Sequence, residues 1–172
     1  MCIIVDTNVM SCVLDKNNQD YFPVFDWVVN KNGKFVYGGT KYLNELSKHK
    51  KFLSFLVELG KLNKTCVANK KIVDDLQVKI ENSVTNSDFD DPHLIAIIIA
   101  TKCKLISSDD SRADKFLKSN ELFKKFNTKI PSIYRNQKHK GLLNDKNIAE
   151  CCNPKLKLNN EGKNVLNQFL TD

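Results

Sequence analysis

The sequence has no apolar stretch long enough to cross a membrane. A helical span needs about 18–20 consecutive apolar residues, whereas the longest apolar run, LIAIIIA at 94–100, is soon followed by Lys102. The N-terminus, MCIIVDTN, has no basic lead and soon reaches Asp6, so it does not have the pattern of a secretory signal peptide. We therefore expect a cytoplasmic protein that does not associate with membranes.

The sequence also lacks the ligand spacing of a zinc motif. Its six cysteines form no C-x-x-C pair, and its three histidines are not spaced to complete a site with them. Cys2 and Cys103 lie in apolar, strand-like segments and are predicted to be small core residues. We expect reduced thiols throughout, and this interpretation gives the adjacent Cys151 and Cys152 no role.

Positive charge is in excess. The chain has 27 basic and 20 acidic residues, a net charge of +7 and a pI near 9.0. Such a balance favours a polyanionic partner such as nucleic acid. Lysines scattered over an ordinary solvated surface would give the same total, so charge alone leaves both interpretations open.

Length and periodicity predict one α/β domain. A chain of 172 residues with 41% hydrophobic composition is long enough to bury a core. Short β-branched runs alternate with helical patterns, which is typical of a layered α/β fold with a mostly parallel sheet. The predicted strands are 2–5, 34–39, 66–69, 104–107 and 129–134. The predicted helices are 21–29, 40–62 as two helices, 70–82, 92–102, 112–126 and 161–170.

The segment FDDPHLIAIII at 89–99 places paired acids at the start of an apolar helix. Proline suits the first helical position and aspartate suits the cap before it, so capping accounts for Asp91. Helical geometry, however, puts Asp91 over Leu94 and Ile98, on the side of the core. A buried carboxylate without a partner is costly, so this acid needs one.

Three aspartates are predicted to meet at one edge of the sheet. Asp6 follows the first strand, Asp109 follows the strand 104–107, and Asp91 begins the helix that precedes that strand. Ligands of open parallel sheets bind outside the carboxyl ends of the strands. Glu45, at the border of the apolar face of helix 40–48, could reach the same cleft. Taken singly, Asp6 and Asp109 are explained at least as well by helix capping as by metal binding. Glu45 alone is best explained as an exposed surface residue.

Clustered carboxylates repel one another unless a cation binds between them. Mg²⁺ and Mn²⁺ prefer carboxylate oxygens and water, so the cofactor prediction is Mg²⁺ or Mn²⁺. Such an ion supplies the missing partner of Asp91.

The first two acids lie in segments that resemble a PIN-domain protein. IIVDTNV at 3–9 resembles the opening strand of that family and its first metal-binding aspartate, Asp6. TKYLNEL at 40–46 resembles the helix that carries the family glutamate, which Glu45 matches.

The remaining acids lie in DDPHLIAIIIATKCKLISSDD at 90–110, which resembles the most recognisable stretch of the family. The resemblance assigns the third and fourth acids to Asp91 and Asp109. A shift of one residue would assign them to Asp90 and Asp110 instead.

This resemblance implies a three-layer α/β/α sandwich and a Mg²⁺- or Mn²⁺-dependent endoribonuclease, with Asp6, Glu45, Asp91 and Asp109 as catalytic metal ligands. Many bacterial members are VapC-type toxins, which bind an antitoxin protein and are often homodimers. The alternative is a catalytically inactive PIN-like module that binds RNA or protein. Such a module would typically have lost an acid, and all four are present, so the enzyme is favoured.

The resemblance covers residues 1–140, which we predict to be the nuclease domain. Residues 141–172 are a C-terminal extension of unknown role. The segment IYRNQKHKGLL at 133–143 resembles the basic end of bacterial PIN proteins. Its predicted RNA contacts, for which a solvated loop is an equal alternative, are Arg135, Lys138, His139 and Lys140.

Several polar residues beside the acids could orient ligands or contact substrate. Thr7, Asn8 and Ser107 are candidates for hydrogen bonds to the ligands, although local capping explains them more simply. His93 is a candidate for substrate contact. Tyr134 could stack on a base, with packing in the core the preferred interpretation.

Two other enzyme classes that begin with an aspartate after a strand fit less well. A haloacid-dehalogenase-type phosphatase needs a second aspartate where this chain has Asn8. A response-regulator receiver needs an acidic pair near the first strand, where only Asp6 is present.

Overall fold

A five-stranded, all-parallel sheet forms the centre of the protein. The structure, a computed structural model, describes residues 2–84, 89–147 and 149–171. Residues 1 and 85–88 of the predicted nuclease domain, and 148 and 172 of the predicted extension, lie outside the described residues. The strands are β1 Cys2–Val5, β2 Lys34–Gly38, β3 Thr65–Ala68, β4 Leu105–Ser107 and β5 Ser132–Tyr134.

Helices flank this sheet in the arrangement of a three-layer α/β/α sandwich, which confirms the predicted fold class. The helices are α1 Met10–Val13, α2 Phe22–Asn30, α3 Thr40–Leu46, α4 Lys50–Lys61, α5 Lys70–Glu81, α6 Pro92–Thr101, α7 Asp114–Leu117, α8 Asn120–Lys125 and α9 Asn160–Asn167. Short 3₁₀ turns lie at Thr7–Val9, Gln137–Leu142, Asp145–Asn147 and Glu150–Cys152.

Strand β1 and helix α6 are apolar because neighbouring elements cover them on all sides. All four residues of β1 are fully buried, as expected for a central parallel strand with helices on both faces of its sheet. Helix α6 is buried around nearly its whole circumference and packs against α5, β2 and β3. Its apolar run is therefore a core helix, as the sequence predicts.

The strand order β3-β2-β1-β4-β5 creates a crevice at the carboxyl ends of β1 and β4. From β1 the chain adds β2 and β3 on one side, and then returns to add β4 and β5 on the other. Ligands of open α/β sheets bind where the strand order reverses in this way. Val5 of β1 pairs with Ser107 of β4, so the residues that follow these two strands line the crevice.

The predicted helix over 112–126 is two short helices in the structure. Helix α7 ends at Leu117, and Ser119 begins α8 by accepting a hydrogen bond from the backbone of Leu122 at 3.2 Å. Serine competes for backbone hydrogen bonds in this way and favours caps over helix interiors. The predicted break within 40–62 is confirmed between α3 and α4.

The C-terminal extension shares the core of the rest of the chain. Cys152 and Leu166 are fully buried in the same hydrophobic cluster as β1. The Thr171 amide donates to the Leu14 carbonyl at 2.8 Å, and the ring of Phe169 lies 5.7 Å from that of Phe55. These contacts fasten residues 149–171 to helices α1 and α4.

Within the described part of the chain, we find no helix with both the length and the apolar character needed to cross a bilayer.

Candidate metal centre

Asp6 is held in the crevice by both neighbouring elements. Its amide donates to the Ser107 carbonyl at 2.9 Å, which extends the pairing of β1 with β4. Its carboxylate accepts the Asn8 amide at 3.4 Å and the Ser108 hydroxyl at 2.7 Å. The residue is only 4% exposed, and this burial raises the pKa of Asp6 to about 6, with a smaller contribution from the nearby charge of Asp91. Asp6 is therefore a buried acid that a cation would stabilise.

Helix α3 is fixed at the point where it leaves β2. Gly39 has a φ of 80°, which favours glycine, and a Cβ there would lie 2.5 Å from a methyl carbon of Val73. The Thr40 amide and hydroxyl both donate to the Asp74 carboxylate, at 2.7 and 2.6 Å. These contacts with α5 set the direction in which α3 carries Glu45.

Glu45 points from α3 into the crevice. The Tyr42 hydroxyl donates to the Val5 carbonyl at 2.6 Å and so ties α3 to the end of β1. The Thr7 hydroxyl donates to Glu45 Oε2 at 3.4 Å. The adjacent imidazole of His93 lowers the pKa of Glu45, which keeps its carboxylate in the charged form that binds cations.

Asp91 stands at the cap position of α6 without using its side chain as a cap. Its backbone carbonyl accepts the Leu94 amide at 3.1 Å, but among the described residues its carboxylate makes no capping hydrogen bond. Burial raises the pKa of Asp91, while the neighbouring His93 opposes this rise. The carboxylate is therefore directed to the crevice, and the capping interpretation of the sequence does not account for it.

His93 lies between the two acids on α6 and α3. It is 1% exposed, with Nε2 3.3 Å from Glu45 Oε2 and Nδ1 3.9 Å from Asp91 Oδ1. The distance from His93 to Glu45 is short enough for an ion pair. Nevertheless, neither ring nitrogen has a partner with hydrogen-bond geometry among the described residues. One ligand atom from each of the three residues lies within 4.8 Å of the others. From the sequence, His93 was predicted only to contact substrate; its position beside Asp91 on the first turn of α6 was the signal for a ligand.

This group satisfies the requirements of a small divalent cation better than those of a closed hydrogen-bond network. It offers carboxylate oxygens, an imidazole nitrogen without a hydrogen-bond partner, and an acid at a helix start that makes no capping bond. Together these match the ligands of Mn²⁺ and, less well, Mg²⁺.

Comparison of the chain with protein-family models, curated proteins and solved structures finds no match. The functional assignment therefore depends on the geometry of the site.

The fourth acid of the site is better matched by Asp110 than by Asp109. Asp109 is exposed, and its charge acts on Tyr21, whose pKa is raised to about 12 chiefly by burial and next by this acid. Asp110 contributes to the electrostatic surroundings of Asp91. The proximity to Asp91 that we expected of Asp109 is thus found for the alternate residue, and the role of Asp109 as a metal ligand stays a prediction.

Two basic side chains border the acids. Arg112 forms ion pairs with Asp110 at 3.1 Å and with Asp90 at 3.4 Å, and Arg112 lowers the pKa of Asp110. The Lys41 ammonium donates to the Asp90 carbonyl. The predicted alternate Asp90 is exposed and engaged in these contacts, and its role at the metal site stays a prediction.

Two adjacent serines, the last residue of β4 and the residue after it, have different surroundings. The predicted ligand-orienting residue, Ser107, has a buried hydroxyl without a hydrogen-bond partner among the described residues. Ser108, which the sequence analysis did not select, contacts Asp6 directly. Successive side chains along a strand point to opposite faces, so only one of the two serines can face Asp6. A shift of the strand by one residue would exchange them.

The predicted RNA-binding segment follows β5 near the same edge of the sheet. Arg135 is committed within the protein, because its guanidinium contacts the Asp114 carboxylate and donates to the Asp110 carbonyl at 3.3 Å. The Arg135 amide donates to His139 Nδ1 at 3.2 Å, which gives His139 a structural role. Lys138 and Lys140 are exposed and are free to meet a polyanion.

Tyr134 is fully buried, and its hydroxyl donates to the Asp20 carbonyl at 2.6 Å. Core packing, the preferred interpretation of the sequence, is confirmed for this residue, and its ring is not available to stack on a base.

Proposed function

We propose that this protein is a divalent-metal-dependent endoribonuclease of the PIN type, with its active site at the carboxyl ends of β1 and β4. The observation that carries the proposal is the convergence of Glu45, Asp91 and His93, with the buried Asp6 near enough for the charge of Asp91 to act on it. The Asp91 carboxylate is unused as a cap, and the His93 ring nitrogens have no hydrogen-bond partner among the described residues.

The proposed metal ligands are Glu45, Asp91 and His93, with Asp6 binding directly or through water. Asp110 would be a further ligand if its carboxylate left the ion pair with Arg112 and bound the metal. An imidazole nitrogen is a softer donor than a carboxylate oxygen, so Mn²⁺ should be bound more tightly than Mg²⁺.

The bound ion would supply an activated water at neutral pH and would offset charge on the scissile phosphate. The side chains supply orientation. Ser108 holds Asp6 in a fixed rotamer through the hydrogen bond between them. The Thr7 hydroxyl donates to Glu45 and the His93 ring lies 3.3 Å from it, so its carboxylate is placed to orient the attacking water.

RNA is the proposed substrate because the chain is basic and basic side chains border this acidic centre. The net charge is +7, and Lys41 and Arg112 stand at the mouth of the crevice. Lys138 and Lys140 extend the basic surface from the end of β5. Such groups contact phosphates and fix the position of a strand without reading its sequence.

The resemblance stated above extends the proposal to biological context. A VapC-type toxin would act in a reducing cytoplasm, would be neutralised by an antitoxin protein and would form a homodimer. The described cysteines are all free thiols, which fits that compartment. Co-purification of a small antitoxin-like protein with this chain, or its absence, would test this.

The second candidate is an inactive PIN-like module that binds RNA or protein. The observation that favours it is the ion pairing of Asp110 with Arg112, which occupies one acid within the protein. In that case the chain would bind single-stranded RNA equally well with and without divalent ions.

The experiment is cleavage of end-labelled single-stranded RNA by the full chain with Mn²⁺, with Mg²⁺ and with EDTA. We expect internal cleavage with either ion, at lower concentrations of Mn²⁺, and none with EDTA. Asp26→Asn is the matched control, since Asp26 bonds only to Asn30 on its own helix among its described side-chain hydrogen bonds. RNA binding without cleavage under all three conditions would support the inactive module.

A further inference from the structure

We propose that Cys2, Cys66, Cys151 and Cys152 form a second metal site, which takes one thiophilic ion such as Zn²⁺ and fastens the C-terminal extension to the sheet. Cys2 is the first residue of β1, and Cys66 lies in β3. Cys151 and Cys152 lie in the 3₁₀ turn Glu150–Cys152. Asp6 follows the opposite end of β1, so this site is separate from the acidic centre.

The sulfur atoms are already close to the separation that zinc imposes. A Zn–S bond of about 2.3 Å and tetrahedral angles place two ligand sulfurs about 3.8 Å apart. The Sγ atoms of Cys151 and Cys152 are 3.7 Å apart. The Sγ atoms of Cys2, Cys151 and Cys152 all lie within 4.8 Å of one another, so closing the group around an ion requires a movement of about 1 Å.

Cys66 supplies the fourth thiol. Its sulfur is outside the tighter group of three, and the neighbouring thiols of Cys151 and Cys152 lower the pKa of Cys66. Cys66 and Cys151 also line one surface depression with Glu150, and Cys151 is exposed. A metal ion can therefore enter from solvent, and the two buried thiols, Cys2 and Cys152, lie behind the two accessible ones.

Two features beside the cluster would support thiolates bound to a metal. The Ala149 amide donates to Cys2 Sγ at 3.1 Å, the kind of N–H···S contact that supports a metal-bound sulfur. Lys34 pairs with Cys2 in the sheet and is 6% exposed, and its charge acts on Cys66. A buried cation here offsets part of the excess negative charge of four thiolates around Zn²⁺.

Cys103 and Cys12 do not belong to the site. The Cys103 thiol donates to the carbonyls of Cys2 at 3.5 Å and Leu105 at 3.4 Å, which is the behaviour of a protonated core thiol. Cys12 lies in α1 and provides a matched control.

A disulfide between Cys151 and Cys152 is the competing explanation for this pair. Their separation of 3.7 Å is well beyond a disulfide bond of about 2.05 Å, and a bond within the pair would leave Cys2 and Cys66 without a function in the cluster. The metal accounts for all four thiols together.

The test uses the full chain, reduced and stripped of metal, and titrated with Co²⁺ as a spectroscopic substitute for Zn²⁺. We expect thiolate-to-cobalt charge-transfer absorption that saturates at one equivalent per chain and is abolished by Zn²⁺ but not by Mn²⁺. Zn²⁺ should raise the melting temperature by roughly 5–10 °C and slow alkylation of Cys66 and Cys151 by roughly tenfold or more.

Variants assign the signal to these thiols. Cys151→Ser combined with Cys152→Ser should abolish the absorption, Cys66→Ser should weaken binding, and Cys12→Ser should change neither. If the double variant does not fold, Cys151→Ser alone, which changes an exposed side chain, should still lower the affinity. Absence of the absorption in the reduced wild-type chain, an unchanged signal in the variants, or a Cys151–Cys152 disulfide under reducing conditions would overturn the proposal.

Discussion

The hydroxyl of Ser108 donates a hydrogen bond of 2.7 Å to Asp6 and accepts one of 3.2 Å from the amide of Asp110. One side chain thereby joins the end of β1 to the loop after β4. This connection places Asp110, rather than the adjacent Asp109, next to the buried acids.

The two adjacent aspartates should therefore differ in their effect on activity. We predict that Asp110→Asn lowers metal-dependent RNA cleavage by about 10-fold or more, which corresponds to at least about 1.4 kcal/mol of transition-state stabilisation. Asp109→Asn should leave the rate within about twofold. Single-turnover cleavage at saturating Mn²⁺ measures both. If Asp109→Asn lowers the cleavage rate more than Asp110→Asn does, Asp109 is the fourth acid of the site.

Asp91→Asn separates capping from metal binding. Asparagine caps a helix about as well as aspartate, but it lacks the charge that a hard cation requires. We predict normal folding, slightly higher stability without metal, and an activity lower by about 100-fold or more, or roughly 3 kcal/mol. RNA cleavage and a thermal melt in EDTA measure these effects.

Asp26→Asn is the matched control for that variant, since it makes the same chemical change on α2, where Asp26 bonds only to Asn30 among its described side-chain hydrogen bonds. Full activity of Asp91→Asn with a reduced melting temperature would mean that Asp91 is only a cap.

Asp6 should make the metal-free protein less stable as the pH rises. Its folded-state pKa is raised from 3.8 to about 6, so between these values the folded chain holds a proton that the unfolded chain has lost. The stabilisation is present below pH 4 and is lost as the pH rises through about 6. Asp6→Asn removes this loss and should be more stable than wild type by on the order of 3 kcal/mol above pH 7 in EDTA, with little difference below pH 4.

Urea unfolding at both pH values measures that difference. Asp26→Asn should show no comparable change between the two conditions, and Mn²⁺ at pH 7 should restore the wild type. A difference between Asp6→Asn and wild type that is independent of pH would show that Asp6 is not destabilised as an anion.

Lys138 and Lys140 should contribute to RNA affinity through charge alone. Replacing both with alanine should reduce the slope of log affinity against log salt by about 1.4, since each phosphate contact on a single strand contributes about 0.7. Arg135 is left intact because its contact with Asp114 is structural.

The control for those lysines is the double variant Lys61→Ala, Lys155→Ala, which removes two charges paired with local acids. If the two double variants change the slope equally, Lys138 and Lys140 belong to an ordinary solvated loop.

Much of the fold could be predicted because local patterns and burial agree. The apolar run of β1 ends at Asp6, and the Asp91–Pro92 pair begins a helix that is buried on all sides. Rules for parallel sheets then bring both acids to one edge. These features depend on residues adjacent in sequence, which periodicity reports well.

The composition of the site could be predicted only in part. Choosing between Asp109 and Asp110 requires knowing which residue of the turn faces the crevice, and periodicity does not fix that after a strand ends. Contacts between distant segments, such as those of His93 with Glu45 and of Cys2 with Cys152, arise from packing and have no signature in residue spacing.

The most direct measurement is the position of Mn²⁺ in crystals of the reduced protein, located by anomalous scattering. The account predicts a peak at the carboxyl ends of β1 and β4, within coordination distance of carboxylate oxygens of Glu45 and Asp91 and a ring nitrogen of His93, with Asp6 beside it. The peak should be lost in crystals of Asp91→Asn. Ordered acids with no Mn²⁺ peak between them at saturating metal would contradict the account.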